Sequence, residues 1–150
     1  MKTVFASVVL VAAAAASHAQ APAPVTVENA WARSTVAGQD STGVYMVLTA
    51  REPLTLIGAR TVSAGTVELH QMKMEGEVMK MREAGALPLG PGKPLLFGPG
   101  GYHFMLTHLK APFKPGSTIA MTLRFRDAQG AERQLPVNVP VAVAAPAPKH

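Results

Sequence analysis

Two short stretches of the chain carry side chains able to do chemistry. In "ELHQMKMEGEVMKMR", residues 68–82, His70 is followed by Met72, Met74, Met79 and Met81, four of the chain's eight methionines. In "GGYHFMLTH", residues 100–108, His103 and Met105 stand two apart, with His108 a little further on. Imidazole nitrogen and thioether sulfur together make a soft, uncharged donor set. Thioethers prefer Cu(I) to hard divalent ions, and imidazole is acceptable to Cu(I) as well. Zinc would be expected to recruit cysteine, histidine or carboxylate, and calcium or magnesium an oxygen-rich loop. The chain has no cysteine and only two aspartates, Asp40 and Asp127.

A bland reading competes at each position. Methionine is a flexible filler of cores, and Met46 and Met121, inside apolar runs, are read as packing. A single histidine on a strand is ordinarily hydrogen-bonded or exposed. Coincidence gives weight to the chemical reading, since His and Met occur together twice in a cysteine-free chain.

Strands must position these residues. Short alternating runs at residues 25–31, 43–49, 54–60, 66–74, 78–82, 103–109, 118–125 and 133–139 are punctuated by Gly and Pro, with no helical stripe. In "MTLRF", Met121, Leu123 and Phe125 share one face while Thr122 and Arg124 take the other, the mark of a half-buried strand. Strands at this spacing predict an all-β fold, an antiparallel β-sandwich or barrel, with "DAQG" at 127–130 as a hairpin turn. A two-residue loop at Glu75-Gly76 would set Met74 opposite Glu77, Met72 opposite Met79 and His70 opposite Met81. His70, Met72, Met74, Met79 and Met81 would then project from one face. His103 and Met105 share a face of their own strand.

The remaining sequence bounds address and partners. Residues 1–19 combine Lys2, an apolar run and small residues at Ser17–Ala19, the pattern of a secretory signal peptide cut after Ala19. That run is shorter than the roughly 20 residues that span a bilayer. The expected product is exported and periplasmic, without a membrane span. Proline-rich residues 20–24 and 140–150 read as a flexible arm and a disordered tail around one domain at 25–139. The formal net charge of +5 comes from scattered bases, with no run that would track a nucleic acid backbone. Lack of cysteine excludes disulfides, iron–sulfur clusters and the blue-copper centre. No nucleophile–base constellation is recognisable, and His108 with Asp40 or Ser41 would be an arbitrary triad, so an enzyme is not expected.

The spacing from His70, ten residues to Met81, twenty-one to His103 and one to Met105 resembles the H(M)-x10-M-x21-H-x-M pattern of periplasmic Cu(A) copper chaperones, the PCu(A)C family. "ENAWAR" at 28–33, "GVYMVL" at 43–48 and "PGGYHFMLTHLK" at 99–110 extend the likeness. Gln71 departs from it, standing where the family's optional methionine follows the first histidine; Met72, Met74 or Met79 are the auxiliary sulfurs at hand. The resemblance implies a Greek-key, cupredoxin-like fold binding one Cu(I) at an exposed site through His70, Met81, His103 and Met105. With His70 and Met81 on one hairpin and His103 and Met105 on another strand, that site should lie at a barrel rim. It further implies delivery of copper to the Cu(A) domain of cytochrome c oxidase subunit II, partnership with a Sco-type thiol protein, and at most weak Cu(II) binding, since His150 is the one metal-binding residue of the tail. A monomer is expected. A periplasmic copper buffer or resistance protein would use the same ligands. A metal-free β-sandwich would not need them.

Overall fold

A computed structural model describes residues 22–147; the leader, its cleavage point and His150 lie outside them. Ten strands follow one another: β1 (Val25–Arg33), β2 (Ser41–Ala50), β3 (Leu54–Thr61), β4 (Ala64–Glu75), β5 (Val78–Glu83), β6 (Leu87–Leu89), β7 (Leu95–Leu96), β8 (Tyr102–Leu109), β9 (Thr118–Asp127) and β10 (Glu132–Ala142). They are ordered β5-β4-β8-β2-β1-β10-β9-β3-β6, with β7 set against β2. β5, β4, β8, β2 and β1 form one layer, and β10, β9, β3 and β6 the other. The chain passes between layers at β2 to β3, β3 to β4, β5 to β6, β6 to β7 and β8 to β9, so the fold is an all-β, cupredoxin-like sandwich. β5 and β6 do not pair, which leaves it open rather than a closed barrel.

Alternation decides what fills the space between the layers. Val44, Met46 and Leu48 of β2 and Phe104 and Leu106 of β8 meet Leu123 and Phe125 of β9, all buried. Met46 and Met121 are core residues, as their apolar surroundings predict. The Asp127 turn closes through its own carboxylate, which accepts from the N–H groups of Gln129 and Ala131 at 3.0 and 2.9 Å. One neighbouring pair departs from the antiparallel expectation: β1 meets β10 in parallel, through Ala32 with Val141 and Arg33 with Ala142.

Two boundaries also move. Ala23 is buried and donates its N–H to the Gln134 carbonyl, so the arm is docked at that point. β10 runs to Ala142 and buries Val141, past the expected domain end at 139. Prolines are tolerated there because β1 reaches β10 only at its last two residues, and Pro136 and Pro140 lie on a largely open edge.

Candidate metal centre

β4, β5 and β8 carry all the candidate ligands, His70, Met72, Met74, Met79, Met81, His103 and Met105. β4 pairs antiparallel with β8, setting His70 opposite His103 and Glu68 opposite Met105. On its other side β4 pairs with β5, with Met72 opposite Met81 and Met74 opposite Met79. This corrects the expected hairpin register, in which His70 faced Met81; His70 faces Glu83 instead. The loop is Gly76-Glu77, and the positive φ of 66° at Gly76 with none at Glu77 fits a type II′ turn, which wants glycine first. The pairing slips by two residues, an even number, so His70, Met72, Met74, Met79 and Met81 still share a face.

That face is the outer one. Leu69, Phe104 and Leu106 point into the core, so His70, His103 and Met105 must point away from it. The candidate site therefore lies on the outside of the β5-β4-β8-β2 sheet, not at a barrel rim. Parity is the reason: the strands spend their other face on packing.

The side chains of Glu68, His70, Met81 and His103 come together there. Nδ1 of His70 lies 2.8 Å from Sδ of Met81, and Nε2 of the same ring lies 2.8 Å from Oε2 of Glu68. Glu68 accepts from Nε2–H, so in the neutral ring the Nδ1 lone pair is turned toward the sulfur, itself only a weak acceptor. In that tautomer two electron-pair donors face one another without a proton between them, an arrangement suited to a cation. A tetrahedral d10 ion held by nitrogen at about 2.0 Å and sulfur at about 2.3 Å separates them to roughly 3.5 Å. Met81 can yield that distance, because it is 45% exposed on an edge strand and turns about three side-chain bonds.

His103 supplies the complementary observation. Its ring stands edge-on to His70 with centroids 5.6 Å apart, and it is 4% exposed. Among the described residues, its Nε2 is the one buried side-chain nitrogen or oxygen without a hydrogen-bond partner. A buried orphan of this kind is costly unless something binds it. Burial pushes the imidazole below the ordinary histidine range; a backbone hydrogen bond at Gly101 opposes this, and His70 adds to it. His103 is thus held in the form that offers a lone pair. Tyr45 and Trp31 back it from β2 and β1, with centroids 6.3 Å from His103 to Tyr45 and 4.9 Å from Tyr45 to Trp31. Arg33 lies over the indole, 5.5 Å from its centroid. Met105 shares the face two residues along β8 and is half-buried beside Gly43. Met72 is half-buried next to Met81, while Met74 and Met79 are exposed toward the hairpin tip.

No three of His, Cys, Asp and Glu gather into a possible metal site among the described residues. The donor set is soft or it is nothing. Sequence reasoning missed Glu68 and Tyr45. For Glu68 the signal was present, since residues 68 and 70 share a strand face.

Comparison with known proteins bears on this geometry. A family model, "Putative lipoprotein LpqE-like", matches residues 25–141, almost the whole sandwich. The chain belongs to the LpqE-like, PCu(A)C family. A curated relative, "Putative lipoprotein Lxx21020" of Leifsonia xyli subsp. xyli, is 32% identical over 118 residues, covering 78% of this chain and 69% of that protein. Apo-DR1885 of Deinococcus radiodurans is 29% identical at a TM-score of 0.61, covering 95% of this chain and 96% of its own. The copper-bound PCuAC domain from PmoF2 is 26% identical at a TM-score of 0.58, covering 85% of this chain and 97% of its own. DR1885 is also solved with Cu(I), at 26% identity, a TM-score of 0.58 and coverage of 85% and 83%. This PCu(A)C chain has no cysteine. Among its described residues, no helix is long and apolar enough to cross a membrane.

Proposed function

We propose that this protein is an exported, periplasmic copper carrier. It binds one Cu(I) through His70, Met81, His103 and Met105, holds Cu(II) only weakly, and passes copper as a monomer to the Cu(A) domain of cytochrome c oxidase subunit II, alongside a Sco-type thiol protein. The observation that carries the reading is the unpartnered Nε2 of buried His103 beside a His70–Met81 pair whose lone pairs converge. Copper-bound PCu(A)C relatives support the choice of metal, and the lipoprotein relative supports export.

The donor chemistry fits carriage. All four ligands are neutral, so the bound ion keeps its single positive charge and remains open to capture by thiolates, which are softer and negatively charged. The test is an anaerobic Cu(I) titration against a chromogenic chelator, strong enough that only a tight site competes. One equivalent is expected. Met81→Leu and His103→Ala should each weaken binding while the far-UV spectrum stays that of the folded protein; unchanged affinity in both removes the assignment. Mixing the loaded protein with a reduced Cu(A) domain then tests delivery. Transfer supports the carrier, and retention under a favourable gradient supports a copper buffer with the same ligands.

A further inference from the structure

The β4–β5 hairpin extends past the end of β8, whose last pair with β4 is Gln71 with Tyr102. Beyond that point the Met72 N–H still reaches the Gly101 carbonyl, no further strand lies beside β4, and every residue of β5 is exposed. The two faces nevertheless differ. One carries Lys73, Glu75, Lys80 and Arg82, with Glu75 joined to Arg82 at 2.9 Å and to Lys80 at 3.4 Å. The other carries Met72, Met74, Met79 and Met81. Packing does not explain the second face, since Met74 and Met79 are 55% and 47% exposed.

Pairing brings these sulfurs together. In a hairpin with a two-residue loop, the flanking pair Glu75–Val78 is hydrogen-bonded, so Met74–Met79 and Met72–Met81 fall in the rows between. Opposed Cα atoms approach there to about 4.5 Å and their side chains touch. The two rows lie roughly 7 Å apart along the strands, within reach of methionine side chains. Glu75 is paired with Lys80 and Arg82 on the far side, and the two outer rows of the methionine face present four thioethers, with Glu83 one row further in opposite His70. Thioethers suit a soft monovalent ion and not hard ones.

We infer that Met72, Met74 and Met79 form a second, weaker Cu(I) site at the hairpin tip, one row outward from Met81 and on the same face as the main site. The inference rests on the proposed function only in taking Cu(I) as the cargo. It makes the hairpin a landing place from which an ion reaches His70 and His103 by exchanging one sulfur at a time.

The experiment is an anaerobic Cu(I) titration without competing chelator, followed through the methyl signals of [methyl-13C]methionine-labelled protein, with Ag(I) as a redox-inert parallel. The first equivalent should move the Met81 and Met105 methyls, and the second those of Met74 and Met79. Met74→Leu combined with Met79→Leu should abolish the second step and leave the first. Met81→Leu should remove the first and leave the second. Saturation at one equivalent with Met74 and Met79 unmoved overturns the tip site and leaves the main site standing. A step at the tip without one at Met81 and Met105 supports the tip site and overturns the main one.

Discussion

Replacing Glu68 tests whether the proposed ligand set is held in shape or merely present. The carboxylate accepts from Nε2–H of His70 at 2.8 Å, fixing which nitrogen keeps its lone pair. Hydrogen bonds to charged groups contribute about 1.5–3 kcal/mol. With Glu68 53% exposed and His70 16%, the lower end applies. Glu68→Ala should therefore cost about 1.5 kcal/mol in Cu(I) binding, roughly tenfold in affinity. Glu68→Gln keeps a neutral acceptor contributing about 1 kcal/mol, so it should lose only about twofold. Competition titrations read the affinities, urea unfolding of the apo-protein controls for stability, and nitrogen-15 shifts of the His70 ring report its tautomer. Wild-type protein should show the proton on Nε2, and Glu68→Ala a mixture. Equal affinities in all three proteins, or an unmoved tautomer in Glu68→Ala, would refute the reasoning.

Other consequences are accessible to simple measurements. Phe104, fully buried between His103 and Met105 on β8, anchors that strand; Phe104→Ala should cost about 3–5 kcal/mol in denaturant unfolding. A loss under about 1 kcal/mol would mean that the strand is held by other contacts. A Cβ added at Gly43 would stand 2.6 Å from the Tyr45 hydroxyl oxygen and 2.9 Å from Cζ. Gly43→Ala must displace that ring, so the fluorescence of Trp31 should shift and copper binding weaken; an unchanged spectrum speaks against the Trp31–Tyr45–His103 stack. His103 has a folded-state pKa below its unfolded value. Its contribution to apo-protein stability is therefore full above about pH 6.5 and lost as pH falls through the folded value. The apo melting temperature should drop on acidification below that point, and His103→Gln should flatten the drop.

How much was legible follows from which forces leave a pattern. Seven of the eight longer strands alternate because one face packs and the other does not, and that alternation survives in the sequence; β5 alternates methionine with charge although all of it is exposed. β6 and β7 were missed because three and two residues are too few to alternate, and Pro88, Pro91 and Pro94 surround them. The faces of the methionines were legible although the hairpin pairing was not, since a slip of two residues preserves parity. Placement of the site on the outer sheet face rather than a rim needed the core assignment of Phe104 and Leu106. The parallel meeting of β1 with β10 has no local signature, because the two lie at opposite ends of the chain.

Accessibility is graded across the proposed donors, with Met81 on the outermost strand at 45% and His103 against the aromatic stack at 4%. An acceptor approaching from solvent meets the sulfur before the nitrogen. Substitution would then begin at Met81 and finish at His103, each new bond forming as an old one lengthens. The ion would change owners through a shared intermediate, without ever being set loose in the surrounding water.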